Sequence, residues 1–513
     1  MTLAEKYVGL SKSLRISFKN CGYILRPGAG TGLWLIPLIP MALLVSTVKQ
    51  ILRNEATLSH VYFASTAVSC GLLVTTLIYL MRFMPSYGHR IGNFLFAIPA
   101  IGTLLFLLYT QSVYGNSYHD LKRENAWFRK SCGMTKSAHI FSGFVLSLLG
   151  GIMSTYGILA GLPTLLTLAP ACFSIGEAVV VIHSLIIFLY SSAINVCHIA
   201  FSHVSLIADM DVSYEAATVI LQVGMVFVLL MLAALVSLPI LREPPQFFIV
   251  LSTAILGTVV SLHGLLGGSP ILWILVNITR DQGTFNIILA WVLLTILAVV
   301  TIYLQVSHEK KATTAQRKVF HILAVVVFGS GILWTPDILY LASGVIFALF
   351  LVVEASRILN IPPLHEILKN GFILYGDEKD TLIALTPLYL LTGMAAPLWL
   401  TPLDDIPIAP SQLLPYMAGL LSIGVGDTAA SFVGSNYGKW KWEGSNRTIE
   451  GTLACFLSQV FVVLLLVQYD VLPSDILSLV RTFAAVGITS LIEAKTDQVD
   501  NMVLPLVLYI LTY

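Results

Sequence analysis

Residues 424–452 read GVGDTAASFVGSNYGKWKWEGSNRTIEGT. These 29 residues hold six glycines, one aspartate, two glutamates, two lysines and one arginine. The sequence on both sides is apolar. One run ends near Gly426 and the next opens near Ile449, and each reads as a membrane span. That setting decides the fold class. The stretch is a charged, glycine-rich connection between two transmembrane helices, not a loop of a soluble domain.

The same pattern extends outward. Candidate spans occupy 33–52, 60–82, 92–114, 138–161, 172–196, 218–240, 247–266, 284–304, 319–335, 338–355, 382–400, 411–426, 449–468 and 476–494. A last apolar piece runs over 501–513. The expectation is an all-α polytopic integral membrane protein with about 15 transmembrane helices. The stretch 161–171 is a place where a half-helix could hide.

Composition agrees. Of the 513 residues, 57% are hydrophobic and 11% charged, against about 25% charged in soluble domains. The mean hydropathy is +0.87. A net charge of +1 leaves no basic face for a nucleic acid. Cys21, Cys70, Cys132, Cys172, Cys197 and Cys455 stand singly, so neither a zinc pattern nor a disulfide framework is expected. No cleavable signal peptide is expected either. Lys6, Lys12, Arg15, Lys19 and Arg26 precede the first long apolar run, which starts near Leu33.

Two regions differ in kind. Residues 1–304 form an N-terminal multi-span region without motifs, and residues 305–513 a C-terminal region with charged loops. Its polar segments are 305–318, 356–381, 427–448 and 495–500, and two candidate spans separate each from the next. Parity therefore puts all four on one face. The first carries His308, Lys310, Lys311, Arg317 and Lys318 against Glu309, which makes that face cytoplasmic. The basic loop 115–137 falls on the other face by the same count. One miscounted span between 138 and 217 would reconcile the two.

Gly424, Gly426, Gly434 and Gly438 can take positive φ and let backbone N–H groups approach a ligand closely. Such groups at a turn or helix start bind phosphate. Asp427 suits either a helix N-cap or a ligand for a divalent cation. Lys439, Lys441 and Arg447 fit a phosphate clamp or a snorkelling basic loop, and Glu450 opens the next span. Familiar phosphate motifs are absent. GSNYGK (434–439) is one residue short of a Walker A spacing, and Trp440 stands where Ser or Thr belongs. No HRD or DFG set is present.

Three other segments place charge at membrane depth. In RKVFH, Arg317 and His321 are i, i+4 and share a helix face, with Lys318 beside them; the Arg–Lys pair also suits a topological anchor. In EASR, Glu354 and Arg357 close a span at i, i+3, as a helix-end ion pair would. The loop that follows holds His365, Glu366, Lys369, Asp377, Glu378, Lys379 and Asp380. In EAKTDQVDN, Glu493, Lys495, Asp497, Asp500 and Asn501 lead into the last apolar piece. From Asn501, 13 residues make about 20 Å of helix against a ~30 Å hydrocarbon core. Residues 495–501 are therefore expected to reach a polar pocket between helices.

These segments, in this order, resemble dolichol kinases, the CTP-dependent enzymes that phosphorylate the terminal hydroxyl of dolichol. GVGDTAASFVGSNYGKWKW…TIEGT is similar to their cytidine-nucleotide-binding segment. RKVFH, EASR, LYLLTGMAAPLWL and TDQVDNMVLPL are similar to their other recurring segments. The resemblance covers about 305–513. One departure is Thr381 after Asp380, where relatives often have glycine.

The resemblance implies a multi-pass endoplasmic reticulum membrane enzyme whose nucleotide site faces the cytosol, with CTP, dolichol and the bilayer as partners. It implies that Gly424, Gly426, Asp427, Thr428, Gly434, Gly438, Lys439, Lys441 and Arg447 bind CTP. A divalent cation, Mg²⁺ or another, would be held by Asp427 with Asp500. Asp497 or Asp500 would accept the hydroxyl proton, with His321 as the alternative. Arg317, Lys318, Glu354, Arg357, Glu450 and Asn501 would support the site. Rival readings are another membrane prenol kinase, a CDP-diacylglycerol synthase-like cytidylyltransferase that would release pyrophosphate, and a transporter. The paired interrupted helices of a transporter are not evident.

Overall fold

Inside a bilayer every backbone polar group must find its partner within the chain, which leaves the helix as the local solution for apolar runs. The chain follows that rule. A computed structural model describes residues 3–52, 60–84, 92–124, 136–202, 214–307, 314–362, 380–401 and 408–513, with positions 365, 366, 368, 369 and 371. Among these the secondary structure is helical, and one isolated bridge joins Lys441 to Thr448. Two compact units are present, Met1–Ala208 with Ser261–Gly268, and Asp209–Val260 with Ser269–Tyr513. They divide the chain by packing. The boundary at 304/305 divides it by motif content, a different property.

The first unit contains α1 (Leu3–Asn20), α2 (Leu38–Leu52), α3 (His60–Arg82), α4 (Ala97–Glu124), α5 (Lys136–Leu168) and α6 (Ile175–Ser202). Small residues let its helices close on one another, as membrane helices do. A Cβ on Gly150 would fall 2.6 Å from Leu107 and 2.9 Å from the Tyr190 hydroxyl. Arg26 forms a buried ion pair with Glu177, which also accepts the Ser174 backbone N–H at 2.9 Å. α5 runs through Pro163 without a break, so 161–171 holds no half-helix. Two helices, α5 and α6, fill 136–202 as read from the sequence, and no extra span lies among them.

The second unit contains α7 (Tyr214–Ser237), α8 (Pro244–Leu266, its part up to Val260), α9 (Pro270–Ile278), α10 (Gln282–Ser307), α11 (Thr314–Trp334), α12 (Pro336–Ile358) and α13 (Leu385–Leu400). They are followed by α14 (Pro410–Tyr416), a π-helix (Leu420–Asp427), α15 (Thr428–Tyr437), α16 (Ile449–Gln468), α17 (Ile476–Lys495) and α18 (Asp500–Thr512). α18 is the centre of this unit: every residue from Asn501 to Tyr509 is buried. α13 meets it through Gly393, where any Cβ would collide with the Asn501 carbonyl. Lower down, Tyr509 and Thr401 are hydrogen-bonded at 3.1 Å.

Among the described residues ten helices are long and apolar enough to cross a membrane, or eleven if the bent pair 410–416 and 420–437 is one span. Leu33–Lys49, Val319–Trp334, Leu385–Leu400 and Asp500–Thr512 are apolar but shorter. Sixteen residues rise about 24 Å, less than a ~30 Å core. The expected count of about fifteen thus exceeds the count by length, and the excess lies in these shorter helices. The chain is an all-α, multi-pass membrane protein.

Candidate active site

The expected span at 411–426 is a broken one. α14 and the helix from Leu420 to Tyr437 are bent by 60°, and Leu420–Asp427 is wound as a π-helix. Such segments are rare and gather at functional sites. Glycine permits the tight surroundings. A Cβ on Gly424 would collide with Val325 of α11, and one on Gly426 would lie 2.5 Å from Gln459 Nε2 and 3.0 Å from Cys455 Sγ of α16.

This corrects the reading of the glycines. Gly424, Gly426, Gly434 and Gly438 do not take positive φ; in this segment only Gly444 does, at +73°. Gly424 and Gly426 serve helix-to-helix approach, and Gly434 and Gly438 serve the close packing of α15 on Thr448 and Gly451. Asp427 is likewise not a capping residue. It lies at the π-to-α junction in helical conformation, and its side chain makes no capping bond. Thr428 follows it, its hydroxyl donating to the Ile423 carbonyl at 3.4 Å.

Asp427 is 5% exposed and faces His321 of α11, also buried, with Oδ2 3.9 Å from Nε2. That separation is within ion-pair reach and beyond a hydrogen bond.

Residues 438–449 form a tight hairpin. Trp442 N–H donates to the Arg447 carbonyl at 3.0 Å, and Ile449 N–H to the Trp440 carbonyl at 2.8 Å. Glu450 secures its first arm, accepting the backbone N–H groups of Lys439 at 3.0 Å and Trp440 at 3.2 Å. Thr448 caps α16, accepting the Gly451 N–H at 3.1 Å. Lys439 and Lys441 are exposed on this hairpin.

Arg447 reaches from the hairpin into the α17–α18 junction. Its Nη1 lies 2.9 Å from Glu493 Oε1 and its Nη2 2.7 Å from Asp500 Oδ2. Glu493 is 1% exposed. Burial alone would push the guanidinium pKa down, but the carboxylates of Glu493, Asp500 and Asp427 outweigh it and raise the pKa. Arg447 thus contacts two carboxylates, Glu493 and Asp500, and feels a third, Asp427.

The polar segments read from the sequence therefore converge for His321, Asp427, Arg447 and Asp500, and the structure adds Glu493. Asn501 is buried beside them, its backbone N–H donating to Asp500 Oδ1 at 3.2 Å. Asp497 is exposed on the same turn, and its carboxylate accepts from Gln498 Nε2. Arg317 and Lys318 open α11, but their side chains lie outside the described residues. So do Asp377, Glu378 and Lys379. Glu354 and Arg357 form a forked pair, 2.9 and 2.6 Å, that grips the head of α13: Arg357 donates to the Leu382 carbonyl and Glu354 accepts the Ala384 N–H. Asp380 caps the same helix by accepting the N–H groups of Leu385 and Thr386.

Among the described residues no group of three or more His, Cys, Asp or Glu side chains could hold a metal ion. The donor set does fit a cation that arrives with phosphates. Mg²⁺ is commonly bound by one or two carboxylates, with phosphate oxygens and water completing the shell. Asp427 and Asp500 are two carboxylates that both act on the Arg447 guanidinium.

The chain is similar to known proteins. A family model described as "Dolichol kinase" matches residues 158–425. The match starts within α5 and stops two residues before Asp427. The dolichol kinase of Homo sapiens is 32% identical over 363 residues, 68% of this chain and 66% of the human protein, just under two thirds of its length. Dolichol kinase EVAN of Arabidopsis thaliana is 33% identical over 246 residues, 47% of this chain and 42% of the plant protein. The dolichol kinase of Saccharomyces cerevisiae is 25% identical over 242 residues, 47% and 44% of the two chains. No solved structure matches. With a family model over half its length and a relative above 30% identity, the chain belongs to the dolichol kinase family.

Proposed function

We propose that this protein transfers the γ-phosphate of CTP to the terminal hydroxyl of dolichol, giving dolichyl phosphate for protein glycosylation. The site faces the cytosol in the endoplasmic reticulum membrane. The observation that carries the reading is the meeting of His321, Asp427, Arg447, Glu493 and Asp500 in a chain of this family. Phosphoryl transfer asks for positioned charge rather than covalent chemistry, and this centre has it.

In this reading the triphosphate of CTP lies against the 424–438 segment and the hairpin. Arg447, Lys439 and Lys441 neutralise its oxygens, and Arg447 changes partners from carboxylate to phosphate. Asp427, with Asp500, would hold Mg²⁺, which would offset the charge of the phosphates when bound. In this reading His321, with Nε2 3.9 Å from Asp427 Oδ2, is the proton acceptor for the lipid hydroxyl. Asp500, held by Arg447, and the exposed Asp497 are the other acceptors. Glu450 fixes the shape of the lysine-bearing arm. Glu354, Arg357 and Asn501 support the helices around the site.

Purified protein with γ-labelled CTP and a set of polyprenols tests this directly. Label should pass to the lipid and CDP should appear. Pyrophosphate as product would mean a cytidylyltransferase, and transfer from ATP or GTP in preference to CTP would remove the nucleotide assignment.

A further inference from the structure

We infer that Trp442 is a positioning residue, which with Thr452 and Lys495 rivets the 438–448 hairpin to the α17–α18 junction and thereby fixes where Arg447 stands. The inference rests on the reading of CTP as donor. It gives a role to three residues that lie inside the quoted segments but outside the site set read from them, and beyond the family match at 158–425.

The contacts come from three directions. The indole Nε1–H donates to Thr452 Oγ1 on α16 at 2.9 Å. Lys495, the last residue of α17, sets its ammonium over the indole ring, 5.4 Å from the ring centre, within cation–π range. The Trp442 backbone closes the hairpin, donating to the Arg447 carbonyl at 3.0 Å and accepting the Ser445 N–H at 3.1 Å. Ser445 then ties the turn to α17, its hydroxyl donating to the Ala494 carbonyl at 3.1 Å.

One side chain thus joins α16, the hairpin and the end of α17, the elements that bring Arg447 to Glu493 and Asp500. A residue that merely filled space would need neither the indole N–H nor a cation above its ring. Arg447 is one third exposed and carries a long, mobile side chain, so its own two ion pairs do not fix the hairpin backbone. The indole does so through a flat, stiff group with a single polar handle.

Two measurements test this. Trp442→Phe keeps the ring and loses the N–H; Thr452→Val loses the acceptor; Thr452→Ser keeps it. Trp442→Phe and Thr452→Val should each raise the KM for CTP about tenfold with the KM for dolichol unchanged. Their combination should be no worse than either alone, because both delete one shared bond. Thr452→Ser should behave as wild type. Lys495→Met should also raise the KM for CTP, and Lys495→Arg should restore it. Independently of activity, hydrogen exchange at the hairpin amides should quicken about tenfold in Trp442→Phe. An unchanged KM for CTP, an equal rise in the KM for dolichol, additive effects in the double variant, or unaltered hairpin exchange would each overturn the inference. Absence of CTP-dependent transfer by the wild-type protein would instead refute the proposed function, and the exchange measurement would still decide the rivet.

Discussion

Arg447→Met separates a structural role for the guanidinium from a chemical one. The substitution keeps length and apolar stem but leaves Glu493, 1% exposed, without its cation at 2.9 Å, and Asp500 without its partner at 2.7 Å. Breaking a fully buried pair from one side costs about 3–5 kcal/mol, and a surface pair is worth about 0–1 kcal/mol. With Arg447 one third exposed, the expected loss lies between them, at about 2 kcal/mol. For a body of this size that is on the order of 5 °C in apparent Tm, read by thermal denaturation of the detergent-purified protein. Activity should fall further, by about 10²-fold in kcat, the usual loss when one positioned charge donor is removed from a transfer site. The decisive variant is Arg447→Met with Glu493→Gln, which removes the orphaned charge as well. It should recover most of the lost Tm and none of the lost kcat. Recovery of both would reduce Arg447 to a structural ion-pair partner. A single variant with wild-type Tm would mean that the buried pair carries no stability.

Three further outcomes are expected. Asp427→Asn should abolish transfer from CTP while the protein still inserts and purifies normally; full activity would remove any ligand role for this carboxylate. Gly426→Ala sets a methyl group 2.5 Å from Gln459 Nε2, so it should lower both Tm and activity, and Gln459→Ala added to it should recover part of the Tm. Arg280 donates to Asp337 at 3.2 Å, and Asp337 is 3% exposed with its Oδ1 unbonded. Arg280→Ala should therefore lower stability by about 1–3 kcal/mol, read as a fall in Tm, with the KM for CTP unchanged; no change in Tm would show that water replaces the arginine.

The helices are legible in the sequence because a bilayer leaves apolar runs one backbone solution. The convergence of His321, Asp427, Arg447 and Asp500 is legible by parity and by charge kept at membrane depth. Other features depend on tertiary contact. The π-helix is invisible because GVGD carries the same turn signals whether its glycines bend the chain or admit a neighbouring helix. Val325, Cys455 and Gln459, which make that choice, lie far away in the sequence. Glu493 was in plain view as an acid ending an apolar run, yet nothing local tells it from a topological anchor; only Arg447 does. Trp442 lies in the quoted segment with nothing in the sequence to single it out until Lys495 and Thr452 are seen around it. The family match reaches back to residue 158, into spans whose residues are apolar for any membrane protein and so offer no motif to the eye.

The winding of Leu420–Asp427 also gives the protein one place where a residue can be lost without loss of register. An α-helix turns the chain by about 100° per residue and the wider π winding by less, so this segment holds one residue more than an α-helix sweeping the same angle. Deleting one residue there and rewinding to α would leave Asp427 close to its present direction. The same deletion within α15 would rotate everything beyond it by about 100°, taking Gly438 off Thr448 and the hairpin with it.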